Sequence, residues 1–178
     1  MVVPRSWKNA DAAAATREFL LQTPPRRAAV RDLMNELLSE SPFDRRCAAD
    51  LARRISARQP GILRRYADVL IDLFAEIPLA QWQTRGYLSM AAALNASTHA
   101  QRMRLALLVR PMVADPRNAV RAMGLESLAL VAVPEPALRD EVLHILERAR
   151  REGTCAMRSR ACRMLPLVLA AEAIAIPE

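Results

Sequence analysis

A single phrase recurs four times along this chain, and its spacing restricts the fold more than any other property. It reads Asp44-Arg45-x-x-Ala48-x-x-Leu51-Ala52, then Thr84-Arg85-x-x-Leu88-x-x-Ala91-Ala92. It returns as Val120-Arg121-x-x-Gly124-x-x-Ser127-Leu128 and as Met157-Arg158-x-x-Ala161-x-x-Met164-Leu165. The arginines stand 40, 36 and 37 residues apart, the period of a two-helix repeat stacked on its neighbours rather than of one packed domain. Such stacks bury a continuous core and present an extended surface, which usually binds something.

An all-α reading follows from composition as well. The chain is 52% apolar with four glycines and 4% aromatic residues, which favours helices over sheets. No apolar run approaches the length of a bilayer span, and Ala12 to Ala15 is too short and too weakly hydrophobic for a secretory signal. A cytoplasmic protein is the expectation. Cys47, Cys155 and Cys162 form an odd set without metal-site spacing, so reduced and mostly buried thiols are expected. The net charge is +7, and Lys8 is the only lysine among 26 basic residues. The sign suggests an anionic partner. The excess of arginine beside so much alanine has the look of GC-rich coding bias and is discounted.

A leading helix is predicted over Ala10 to Gln22, stopped by Pro24-Pro25. Four pairs follow. The first is Ala28 to Ser39, carrying the doublets Leu33-Met34 and Leu37-Leu38, with Phe43 to Arg58. The second is Ile62 to Glu76, with Val69-Leu70 and Leu73-Phe74, then Ala80 to Asn95. The third is Ala100 to Val113 with Leu107-Leu108, then a partner ending near Val133. The fourth is Leu138 to Arg151, then Cys155 to about Ala171, where Pro166 should introduce a kink. In the first three pairs a proline lies four residues after an apolar anchor: Leu38 to Pro42, Phe74 to Pro78 and Met112 to Pro116.

The phrase resembles the second helix of the HEAT-repeat family, which opens after an Asp-Pro type turn; Asp115-Pro116-Arg117-Asn118-Ala119-Val120-Arg121 is the nearest copy. The resemblance covers roughly residues 26 to 171. It implies a right-handed α-α superhelix, a solenoid of about four helix pairs with an N-terminal capping helix. The expected organisation is a cap and linker over 1–25, the array over 26–172 and a tail over 173–178. It also implies a structural ladder in which Arg45, Arg85, Arg121 and Arg158 pair with acids near the turns, although only Asp44 and Asp115 are available as such acids.

The resemblance further implies that the motif helices line a concave face. Helical spacing then puts Arg46, Asp50 and Arg53 on the outward stripe of the first, and Gly86, Met90 and Ala93 on that of the second. The third has Ala122, Glu126 and Ala129, the fourth Ser159, Arg163 and Pro166. The residues read as partner-binding are Arg46, Asp50, Arg53, Tyr87, Met90, Glu126 and Arg163. Such a groove suits an acidic or helical protein segment, with methionine as an adaptable contact and arginines gripping carboxylates. The small residues of the stripe can equally serve close helix packing.

Catalytic chemistry finds little to build on. Glu141-x-x-His144 has the spacing of half a carboxylate-bundle metal site but lacks a second half. Four scattered glycines make no phosphate loop. No cofactor or metal is expected, and a non-catalytic binding scaffold is the favoured reading. The alternative is an electrostatic nucleic-acid binder, since some HEAT-like proteins grip DNA and one DNA-glycosylase family shares the architecture. Against that reading, Trp7, Trp82, Tyr66 and Tyr87 form no evident stacking cluster. A glycosylase would also need a catalytic acid beside exposed aromatics, for which Glu126 near Met90 is the nearest candidate. The apolar stretch from Leu165 to Ile176 is expected to fold back on the last pair or to support a homodimer through the C-terminal helix.

Overall fold

The computed structural model describes residues 27–175; the helix expected over Ala10 to Gln22 lies outside them, as does Trp7. Eight α-helices follow one another: α1 (Arg27–Leu37), α2 (Pro42–Arg58), α3 (Ala67–Glu76), α4 (Trp82–Asn95), α5 (His99–Val113), α6 (Asn118–Ala132), α7 (Arg139–Glu152) and α8 (Cys155–Ala175). Short 3-10 turns at Arg64–Tyr66, Leu79–Gln81 and Pro136–Leu138 lead into α3, α4 and α7. Those three helices therefore start later than their apolar periodicity suggests. The last helix runs through Pro166 to Ala175, so it extends past Ala171 and into the segment expected as a tail.

Local chemistry sets several boundaries. Ser41 caps α2 by accepting from the Asp44 amide at 3.3 Å, with Pro42 in the first turn where its missing N–H costs nothing. Thr98 and Gln101 form a reciprocal capping box at α5. Gly61 takes φ +83° in the turn after α2, a conformation that side-chain-bearing residues rarely adopt.

Each odd-numbered helix packs on the even-numbered helix that follows it. In addition α2 packs on α4, α4 on α6, and α6 on α8, whereas α3 and α5 touch only lightly. The result is a sequential helical array with a tight even-numbered row. Phe74, Leu88, Leu125 and Leu128 are among its most buried side chains, each contributing about 1.5–3 kcal/mol by leaving water. The middle residues of the recurring phrase, Ala48, Leu88, Gly124 and Ala161, are all buried. A Cβ on Gly124 would lie 2.7 Å from Met112 Cβ and 3.1 Å from the Met112 carbonyl carbon, so α6 can approach α5 this closely only without a side chain there.

Two expectations need correcting. The apolar doublets are buried as pairs only in part: Leu33-Met34 and Leu73-Phe74 are buried at both positions, whereas Leu38, Val69 and Leu107 are exposed, where the contact face takes one of two successive residues on a helix turning 100° per residue. The cysteines are not mostly buried either. Cys155 and Cys162 are exposed on α8, and Cys47 is partly so. Leu167 and Leu169 are also half exposed on α8. Among the described residues no helix is long and apolar enough to cross a membrane.

Candidate partner-binding surface

The even-numbered row is stitched by buried polar groups. Asn95 in α4 donates to Ser56 Oγ of α2 at 2.8 Å and to the Ala91 carbonyl at 2.7 Å, and it accepts from the Leu63 amide at 2.7 Å. One repeat further on, Ser89 Oγ donates to the Gly86 carbonyl, which leaves the Ser127 hydroxyl of α6 to donate to Ser89 at 2.8 Å. All four polar side chains are at most 1% exposed. Between α6 and α8 the link becomes ionic: Glu126 accepts from Arg160 and from Arg163.

This packing disposes of the middle of the expected stripe. Gly86, Met90, Ala93, Ala122 and Ala129 are buried, because α4 and α6 have an even-numbered neighbour on both sides. A Cβ on Gly86 would fall 2.3 Å from Met123 Sδ. The small residues serve helix approach, and Met90 is covered rather than presented. Glu126 and Arg163 are engaged with each other. Asp50 accepts from Arg53 at 2.6 Å and from Arg54 at 2.7 Å.

What stays accessible is the seam between α2 and α4. The Arg46 guanidinium lies 5.4 Å from the Phe43 ring centroid and donates to Gln83 Oε1 at 3.1 Å. Arg53 lies 5.3 Å from the Tyr87 ring centroid. A guanidinium this close to a ring gains cation–π attraction, and Arg53 at the same time donates to Asp50 through Nε and Nη2. Beside Arg46 opens a cleft of about 250 Å³ walled by Phe43, Arg46, Trp82 and Thr84, with Gln81 also in its lining. Gln81 Oε1 is buried without a donor. Phe43, Gln81, Trp82 and Gln83 were not expected at a site. Their signal lies in the repeat register: the 40-residue offset between Arg45 and Arg85 makes Phe43 and Gln83 equivalent, and Pro42 and Trp82 likewise.

Among the described residues none of the four phrase arginines forms a hydrogen-bonded pair with an acid. Arg45 donates to the Ser39 carbonyl at 2.8 and 3.0 Å. Arg85 donates to the Phe74 and Ile77 carbonyls at 2.9 and 2.6 Å and sits 4.8 Å from the Phe74 ring centroid. Burial pulls its pKa down from the ordinary value. Arg158 donates to the Gly153 carbonyl at 3.0 Å. These contacts satisfy carbonyls that a helix end leaves without intrahelical donors. Arg121 departs from the pattern. Its Nη2 donates to Asn118 Oδ1 within its own helix, and its Nε is buried with no acceptor, which costs about 1–3 kcal/mol. The turn before it is held differently, by Asp115 accepting from the Arg117 side chain twice at 2.9 Å and from its amide at 2.8 Å. Those Arg117 bonds hold the Asp115 pKa down at about 2.

A second cleft, of about 270 Å³, lies at the junction of the third and fourth pairs. Its walls include Val113, Ile145, Ala149 and Met157, with Arg121, Arg148, Glu152 and Thr154 as polar groups. Glu141 of the Glu141-x-x-His144 pattern is bound by both Arg110 Nε and Nη2, and His99 contacts Glu135. Among the described residues no group of three or more His, Cys, Asp or Glu could hold a metal ion. Compared with known proteins, the chain matches no described family, no curated relative and no solved structure.

Proposed function

We propose that this chain is a non-catalytic binding scaffold, a short HEAT-like right-handed solenoid that takes an acidic protein segment on the α2–α4 seam. The solenoid reading rests on the order of packing: the even-numbered helices run tightly together while α3 and α5 touch lightly, as an inner row does in a curved stack. The functional reading is carried by one observation, the cleft where Arg46 rests on Phe43 beside Trp82. It offers an aromatic wall for an apolar side chain and a pre-oriented guanidinium edge for a neighbouring carboxylate. Arg53 and Arg54 outnumber Asp50 along the same seam, which extends the positive character.

The experiment is a fluorescence-anisotropy titration with two labelled probes, a Glu- and Leu-rich amphipathic peptide and a mixed-sequence DNA duplex. The proposal expects peptide binding that weakens about tenfold or more in Arg46→Glu, a loss of about 1.4 kcal/mol. Duplex binding that falls steeply with salt and flattens in Arg46→Glu would replace the protein-partner reading with the nucleic-acid one. Peptide affinity unchanged by Arg46→Glu would remove the seam.

A further inference from the structure

Three of the four equivalent arginines are used up at the end of the preceding helix, and Arg121 is not. Its Nε–H is buried without an acceptor, and among the described residues its only side-chain hydrogen bond is to Asn118 one turn before it in the same helix. Asp115 attracts Arg121 only through its charge, because its three hydrogen bonds go to Arg117. Arg121 also borders the second cleft, which is walled by the apolar side chains Val113, Ile145, Ala149 and Met157. An unspent guanidinium beside an apolar hollow is the arrangement that binds a carboxylate attached to a hydrocarbon group.

We propose that this cleft is a binding site for a single carboxylate borne on a short branched apolar group, such as the C-terminal residue of a peptide ending in leucine or a free apolar carboxylic acid. Arg121 and Arg148 grip the carboxylate, and the apolar wall takes the hydrocarbon. The Thr154 hydroxyl accepts only a long bond from the Met157 amide, at 3.5 Å, so its own hydrogen can be donated to the ligand. Glu152 is the one acid of the lining. Two arginines against it leave a surplus of one positive charge, matched to one carboxylate and poorly matched to a phosphate dianion. The volume of about 270 Å³ is at the small end for ligand sites and accommodates one side chain rather than a large cofactor. This site shares no residue with the α2–α4 seam.

The test uses the full chain and isothermal titration with three probes: N-acetyl-leucine, N-acetyl-leucine amide, and a neutral peptide ending in leucine with a free carboxylate. The expected result is binding of at least one carboxylate probe, with the amide weaker by about tenfold or more. Arg121→Gln and the exposed Arg148→Glu should each weaken it, while Arg46→Glu should not. Tight peptide and weak N-acetyl-leucine would identify a chain terminus as the source; the reverse would identify a free acid. Circular dichroism of Arg148→Glu separates lost binding from lost folding. Equal binding of acid and amide, no binding of either carboxylate at millimolar concentration, or affinity unchanged in a folded Arg148→Glu would overturn the assignment.

Discussion

Along the even-numbered helices from α2 to α6, neighbours meet through glycine, alanine and buried hydroxyl or amide groups; along the odd-numbered helices they meet through solvent-exposed polar and charged groups. The contacts from α3 to α5 are Asp68 with Gln101 at 3.0 Å and Asp72 with Arg104 at 2.6 Å, and from α5 to α7 they are Glu141 with Arg110. The contacts from α4 to α6 are Gly86 against Met123 and Ser89 against Ser127. One row is fixed by shape and buried hydrogen bonds, which tolerate little change. The other is held by surface pairs, which contribute little individually. The difference assigns stability to one row and leaves the other free to vary.

Substitutions should separate the rows in a definite order. Asn95→Ala should cost most, about 2–4 kcal/mol, because it strands the buried Leu63 amide and breaks the link to α2; urea unfolding measures it. Gly124→Ala comes next. Its new methyl meets the α5 backbone, an overpacking cost of about 1–3 kcal/mol offset in part by a helix-propensity gain of about 1 kcal/mol. Gly86→Ala should cost less in the same assay, since the group it meets is the far end of Met123, a flexible thioether that can swing aside. Arg104→Gln should cost under about 1 kcal/mol. A larger loss for Arg104→Gln than for Asn95→Ala would break the comparison.

A pH titration sharpens it at the loop after α6, where a charge is buried. Glu135 is 5% exposed and sits between Arg102 and His99, both at 3.0 Å. Burial pushes its pKa up, but the bonds from Arg102 and His99 outweigh that and leave it below the ordinary 4.5. A depressed folded-state value means stability that is present above the unfolded pKa and lost as pH falls through the folded one. The melting temperature should therefore drop on acidification below 4.5, and Glu135→Gln should flatten that limb while lowering stability at neutral pH. An identical acid limb in the variant would show that Glu135 does not contribute to it.

Much of the architecture was legible in the recurring phrase, because stacking requires a fixed register that the arginine spacing records. Seven of the described helices carry apolar residues at helical intervals that place them within a few residues of their observed ends, and α6 was located by its partner turn at Asp115-Pro116. Three starts were placed early, by five residues at α3 and by two and one at α4 and α7, because a 3-10 turn precedes each of these helices and carries the same kind of residues as an α-helical first turn. The site was less legible. Reading the stripe Gly86, Met90 and Ala93 as outward assumed one neighbour per motif helix, whereas α4 has even-numbered neighbours on both sides. The phrase arginines could be located but not their partners, since backbone carbonyls leave no trace in side-chain chemistry. Trp82 looked scattered and Phe43 went unremarked, because the two are far apart in sequence and adjacent only through the repeat offset.

The most direct test of the account is a two-dimensional NMR titration of the labelled protein with the Glu- and Leu-rich peptide. The account expects shifts centred on Phe43, Arg46, Arg53, Trp82 and Tyr87, with α5 and α7 unmoved. Shifts centred instead on the charged faces of α3, α5 and α7, with the α2–α4 seam silent, would contradict it.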